Sequence, residues 1–220
     1  MSSKKVLLLN HFPKTHPDYV KFGYRNGEAQ NIITKRLTGL AQRILGTCGI
    51  EVVYPENDCN VINKEVRKSY ALILGSGSPY NIDDNLPWLS AEMDALLQSY
   101  ENGGGIPLVA ICFTHQAIHN ALEGKISPAE KYYFGDYPMK LGEKRVRLKT
   151  SHGYYVSRPG NTMEVVGWSS YKNNGERMVY ATRSSQYPIV TFQQHPECPM
   201  KGDVYPSPSV PSFVRESLNV

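Results

Sequence analysis

The sequence predicts an α/β fold: an open, mostly parallel sheet with helices on both faces and an antiparallel extension at one end. Three observations predict it. Short apolar runs alternate with helical stripes through the first half of the chain. A break at Asn102-Gly103-Gly104-Gly105 leads into the apolar run 107–111 and then straight into a further helical stripe. From Val146 onward the alternation stops, and short strand-like runs follow one another.

In chain order, residues 6–10 read as a buried strand, a continuous apolar run ending at Asn10. Within 29–45, Ile33, Leu37, Leu40, Ala41, Ile44 and Leu45 form one stripe at helical spacing, which Gly46 stops. Runs 51–54 and 70–74 are the next strands. Leu89, Met93, Leu96, Leu97 and Tyr100 mark a second amphipathic helix. After the glycine break, 107–111 is a buried strand, and Ala117, Ile118, Ala121 and Leu122 share a helical face directly behind it. The later strands are 146–149, 154–156, 164–168, 178–182 and 189–192, the last feeding back into the core. Segment 11–28 has no periodicity and leaves the carboxyl end of a strand, where open α/β sheets bind ligands. It is either a solvated loop, or its aromatic residues and Arg25 shape the second-substrate side of a pocket. The Pro-rich stretch 199–211 reads as a surface-hugging segment.

Composition bounds the function. The chain has 220 residues, 40% hydrophobic and 20% charged, enough for one domain over 1–220 with a full core. Its net charge of +4 is spread over scattered Lys and Arg, without a basic block, which argues against nucleic acid as a partner. No segment reaches the ~18 apolar residues that a membrane span needs, so no membrane partner is expected. The run 6–9 is also too short for a secretory signal. Cys48, Cys59, Cys112 and Cys198 show no Cys-x-x-Cys spacing, and a reduced, cytoplasmic setting is expected. His115 and His119 lie one helical turn apart with no Cys, Asp or Glu to complete a set, so neither a metal nor a cofactor is expected.

Cys112 sits where the strand 107–111 turns into a helix. Such a junction lifts the side chain out of the sheet and aims the helix N-terminus at it, which favours a thiolate and an adjacent oxyanion. This is the cysteine form of a nucleophile elbow, in which the backbone N–H of Phe113 is an oxyanion donor by position. Alone, a cysteine at the end of an apolar strand is an ordinary core residue. The second signal is Phe192-Gln193-Gln194-His195-Pro196-Glu197, where another apolar strand ends in a histidine followed two residues later by a glutamate. A thiol nucleophile needs a base, and the base needs a carboxylate to hold its tautomer. Cys112, His195 and Glu197 are therefore the candidate catalytic set.

Ala110-Ile111-Cys112-Phe113-Thr114-His115-Gln116 resembles the Gly-x-Cys-x-Gly-His-Gln elbow of the class I (triad) glutamine amidotransferases. The segment 192–197 resembles that family's His-Pro-Glu ending. Ile73-Leu74-Gly75-Ser76-Gly77-Ser78-Pro79 is similar to its Ile-Leu-Ser-Gly-Gly-Pro loop, and Ser151-His152-Gly153-Tyr154 to its Ser/Asn-His-Gly segment. The resemblance covers roughly 6–197 and implies a flavodoxin-like domain that cleaves a γ-glutamyl amide through a Cys112 thioester. It implies Gly77 as the second oxyanion donor, with Gln116, Ser151, Gly153 and Tyr154 binding the glutamine backbone atoms. The implied substrate is glutamine or a γ-glutamyl conjugate. A synthetase partner subunit would take up the ammonia, since one domain of this length leaves no room for an ATP-dependent one. A stand-alone γ-glutamyl hydrolase or peptidase, and an inactive binding protein of the same fold, are the alternatives. Two departures bear on the substrate. Ala110 and Thr114 stand where the family has glycines, and the glycine loop is shifted in phase.

Overall fold

A computed structural model describes residues 4–19, 24–25, 27–57, 70–103, 105–199 and 209–220. Strands β1 (Lys5–Leu9), β2 (Gly49–Val53), β3 (Leu72–Gly75), β4 (Leu108–Ile111) and β9 (Ile189–Phe192) lie side by side in parallel, in the order β2-β1-β3-β4-β9. Their side chains alternate between two cores. Val6, Leu8, Leu72, Leu74, Val109 and Val190 face helices α1 (Glu28–Leu45) and α4 (Ser209–Leu218). Leu7, Leu9, Ile73, Leu108 and Ile189 face α2 (Pro87–Glu101) and α3 (Phe113–Ala121). No helix among the described residues is long and apolar enough to cross a membrane.

The expectation of an open, mostly parallel, flavodoxin-like sheet is overturned by the remaining strands. β5 (Lys125–Leu141), β6 (Lys144–Arg158), β7 (Met163–Asn173) and β8 (Glu176–Ser184) run 17, 15, 11 and 9 residues and pair antiparallel, whereas no parallel strand exceeds 5. They also close on themselves. β8 pairs with β6, β6 with β5, β5 with β7, and β7 again with β8, a small barrel whose wall continues through β8 into β9. The sheet is thus antiparallel over most of its strand residues and closed at one end. The physical reason lies in β5. Only Tyr133, Met139 and Leu141 are buried along it, and Pro128, Gly135 and Pro138 interrupt it, so no apolar alternation announces a strand. A two-residue turn at Gly142-Glu143 joins it to β6, with Gly142 at φ +56°, a conformation glycine adopts freely.

The C-terminal stretch also differs from expectation. Residues 200–208 of the Pro-rich tail, like Cys59, Phe22 and part of the segment 11–28, lie outside the described residues. Ser209 to Pro211 open α4 rather than hugging the surface, with Pro211 in the first turn, where a missing N–H costs nothing. Val210, Val214 and Leu218 then bury one face. Arg215 Nη1 donates to the Arg43 carbonyl at 2.8 Å, capping the last turn of α1.

Candidate active site

The adjacent strands β3, β4 and β9 end side by side, and each delivers one part of the site. From β4 comes Cys112. Its N–H donates to the Phe192 carbonyl at 2.7 Å and its carbonyl accepts from Gln116 N at 3.0 Å, so the residue ends a strand and starts α3 at once. That double role holds it at φ +51° and ψ −100°. A side-chain-bearing residue there carries strain of about 1–3 kcal/mol.

β9 leads to the candidate base, His195. His195 N donates to the Lys149 carbonyl at 2.8 Å, tying the turn after β9 to β6. His195 Nδ1 lies 2.8 Å from Glu197 Oε1, and both residues are buried. Burial alone would push the imidazole down; the Glu197 carboxylate and the Cys112 sulfur outweigh it and hold His195 well above the ordinary histidine value. From β3 comes the loop Gly75-Ser76-Gly77. A β-carbon at Gly77 would lie 2.9 Å from His195 Cε1 and 3.4 Å from Cys112 Cβ, so only glycine lets the backbone approach both.

Thr114, at one of the departures from the glycine pattern, has a compensating partner. A β-carbon at Gly75 would fall 2.5 Å from Thr114 Cγ2, so the threonine methyl occupies the space that glycine leaves open. Thr114 Oγ1 donates to the Ser76 carbonyl at 2.7 Å and approaches His11 Nδ1 at 3.2 Å. His11 Nε2 in turn meets Glu92 Oε1 at 2.9 Å, with both side chains fully buried behind the loop.

The antiparallel barrel supplies the facing wall. The Ser151 carbonyl lies 3.7 Å from Cys112 Sγ, and Ser151 Oγ lies 2.8 Å from the Tyr132 hydroxyl. A β-carbon at Gly153 would sit 3.4 Å from Tyr132 Cδ2, so this glycine packs close against the tyrosine ring. Gln116 Nε2 donates to the Tyr154 carbonyl at 2.9 Å and to Gln193 Oε1 at 3.1 Å, and the Tyr154 hydroxyl donates to Asp83 at 3.2 Å. All the predicted site residues except Gly77 and Glu197 line one cavity of about 500 Å³; Gly77 reaches it through its contacts with Cys112 and His195, and Glu197 stands behind His195. Phe12, Asp18 and Tyr24 from segment 11–28 line the same cavity, as does Arg36 from α1, while Arg25 does not.

Sequence reasoning missed Tyr132, Arg36 and Gln193. The first lies in the strand that carried no apolar signal. The second sits on the polar side of an amphipathic helix, where arginines are ordinary. Gln193 was visible only as part of the His-Pro-Glu ending. The other histidines near the elbow, His115, His119 and His152, are buried. His119 and His152 are pushed down to about 3 by burial, with His195 adding to the effect on His152. His115 is held well below the ordinary histidine value by burial, with His119 and His152 adding to the effect. His119 Nδ1 accepts from Gly160 N at 2.9 Å and its Nε2 lies 3.1 Å from Thr182 Oγ1, which satisfies a neutral ring. His195, Glu197 and Cys198 offer ligand atoms within 4.8 Å of one another, but the Arg36 guanidinium lies 3.4 Å from Cys198 Sγ, a poor neighbour for a cation.

At this site a strained cysteine at a strand–helix junction lies beside a carboxylate-backed histidine and a glycine loop. The chain belongs to the family described as glutamine amidotransferase class-I, which it matches over residues 35–203. It is 26% identical over 185 residues to the glutamine-hydrolyzing GMP synthase of Clostridium kluyveri, covering 71% of this chain and 33% of that protein. The chain thus spans about a third of that relative's length. It is 24% identical over 178 residues to one subunit of the glutamine-hydrolyzing GMP synthase of Sulfurisphaera tokodaii, covering 79% of this chain and 86% of that protein. Among solved structures, a protein of Thermoplasma acidophilum proposed to be a GMP synthase subunit superposes with a TM-score of 0.69 at 15% identity, over 100% of this chain and 94% of that one. A glutamine amidotransferase from Thermotoga maritima gives 0.61 at 15% identity, over 90% and 78%.

Proposed function

We propose that this chain cleaves the side-chain amide of glutamine and releases ammonia for a synthetase partner, in a reduced cytoplasmic setting that suits the free thiols of Cys48, Cys112 and Cys198. The observation that carries the reading is that Cys112 and His195 line one cavity together, with Gly77 packed against both and Glu197 held to His195 behind it. The Cys112 sulfur attacks the γ-carbonyl carbon as its proton passes to His195. The N–H groups of Gly77 and Phe113 receive the oxyanion, each worth about 3 kcal/mol in such sites. Collapse breaks the C–N bond, and His195 returns the proton to the leaving amine. Water, activated by the same imidazole, then releases glutamate from the thioester. Glu197 keeps the imidazole oriented. Ser151, Gly153 and Tyr154 hold the α-amino and α-carboxylate groups. Gln116 acts on substrate through the Tyr154 segment that it anchors.

A second reading is favoured by the cavity itself. About 500 Å³, with Phe12, Tyr24, Tyr80, Phe134 and Arg36 also in its lining, suits a bulky or anionic leaving group on a γ-glutamyl conjugate. Glutamate release by the purified chain separates the two. Silence on glutamine until a synthetase is added, with a GMP-forming one tried first, supports the amidotransferase reading. Turnover of a γ-glutamyl conjugate by the chain alone, with glutamine poor, overturns it.

A further inference from the structure

Gln193 directly follows β9 and stands two residues before His195. Its side chain is fully buried. Its Nε2 donates to Cys112 Sγ at 3.7 Å, and among the described residues this sulfur is the only acceptor within reach of that amide. A buried amide donor is costly unless its hydrogen bond is a good one. A thiol sulfur is a weak acceptor, whereas a thiolate is charged and a strong one. On its other side the sulfur meets the Ser151 carbonyl at 3.7 Å, an acceptor that suits only the protonated S–H. The two neighbours therefore favour opposite protonation states of the same atom.

The orientation of the carboxamide is fixed by its surroundings. Gln116 Nε2 donates to the Tyr154 carbonyl at 2.9 Å, so that end of Gln116 must be its NH₂ group. The same NH₂ group faces Gln193 Oε1 at 3.1 Å. Flipping Gln193 would set two N–H groups against each other and leave its oxygen at the sulfur. The relay Tyr154–Gln116–Gln193 thus aims one N–H at the nucleophile.

We propose that Gln193 is a further catalytic residue, whose side-chain N–H stabilises the Cys112 thiolate. The proposal rests on the reading of Cys112 as nucleophile. When the S–H bond breaks, the proton forms an N–H bond at His195 Nε2 and the electron pair stays on sulfur. The Gln193 hydrogen bond then changes from neutral to charge-assisted.

The test is alkylation of Cys112 by iodoacetamide, followed by mass spectrometry, in the unaltered chain, Gln193→Met and Gln193→Glu. Methionine fills the volume without the donor. Glutamate keeps the acceptor for Gln116 and sets a negative charge beside the sulfur. At pH 7 the Gln193→Met variant should react about threefold more slowly: about tenfold less thiolate, partly offset by about threefold greater nucleophilicity of an undamped sulfur. At about pH 10, above the ordinary thiol range, the order should reverse. Gln193→Glu should be the slowest at pH 7. A packing defect that merely opens the site speeds the reaction at every pH and gives no crossover. Equal rates at every pH in both variants overturn the role of Gln193 and leave Cys112 as nucleophile. Label on other cysteines of the unaltered chain, with Cys112 untouched, overturns the underlying reading instead. Should neither variant fold, the ¹⁵N side-chain amide signals of Gln193 in the unaltered chain serve as the readout. They should move on alkylation of Cys112, and fixed signals overturn the proposal.

Discussion

The parallel strands and the antiparallel barrel are built on opposite rules. β3, β4 and β9 are four residues long and buried at every position. β5 buries only three of its seventeen. Strands buried on both faces hold their ends rigidly, and those ends carry Cys112, the glycine loop and, after β9, His195. Strands wetted on one face present varied side chains to a cavity, and they bring Ser151, Gly153 and Tyr132. Under the proposed function, the division assigns bond-breaking to the parallel half and substrate grip to the barrel.

The sharpest way to break that division is the base. His195→Ala should lower turnover about 10⁴-fold with the fold intact, because it removes proton transfer rather than packing. Near wild-type turnover at saturating substrate, with unchanged circular dichroism, would place the base elsewhere.

A smaller effect is expected at the seam, where His119 on α3 meets Thr182 on β8. Burial lowers its folded-state pKa to about 3, while the unfolded chain has an ordinary histidine. The stabilisation from the neutral ring is complete above about pH 6.5 and is lost as pH falls toward 3, since the unfolded state takes up a proton that the folded state refuses. His119→Gln should therefore flatten the acid side of the stability curve by up to about 1.4 kcal/mol per pH unit in that window. Urea unfolding at pH 7, 5 and 4 checks this, and a slope identical to that of the unaltered chain counts against a buried neutral His119.

The smallest effect belongs to the barrel. Tyr132→Phe removes the hydroxyl that meets Ser151 Oγ and should raise KM about three- to tenfold while kcat stays within about twofold. A loss in kcat at constant KM would mean that the barrel takes part in the bond-breaking step.

The same contrast explains what was legible in the sequence. Apolar runs such as 72–74 and 108–111 are read easily, because burial on both faces demands unbroken Leu, Ile and Val. Helix α1 was legible through Ile33, Leu37, Leu40 and Ile44, all of which are buried. β5 was not, because Lys131, Tyr132 and Phe134 are exposed and leave a pattern with no period. Segments 146–149 and 154–156 look like two strands in the sequence, yet they are one β6 crossing the cavity wall. Helix α4 carried a readable stripe in Val210, Val214 and Leu218, but the prolines around it point to loop structure instead. At the site, the motif residues could be named from sequence order. The Gly75–Thr114 contact could not, because two positions 39 apart give no sign that they share one volume.

That contact constrains how the chain can change. While Thr114 stands, any side chain at Gly75 meets atoms 2.5 Å away, so substitution at 75 alone is barred. A route to a bulkier loop must begin with a smaller residue at 114, and only afterwards can position 75 vary. The two sites are epistatic, with a fixed order of steps. A chain with glycine at the elbow position lacks this obstacle to a side chain on the loop, whereas here the path stays closed until position 114 becomes smaller.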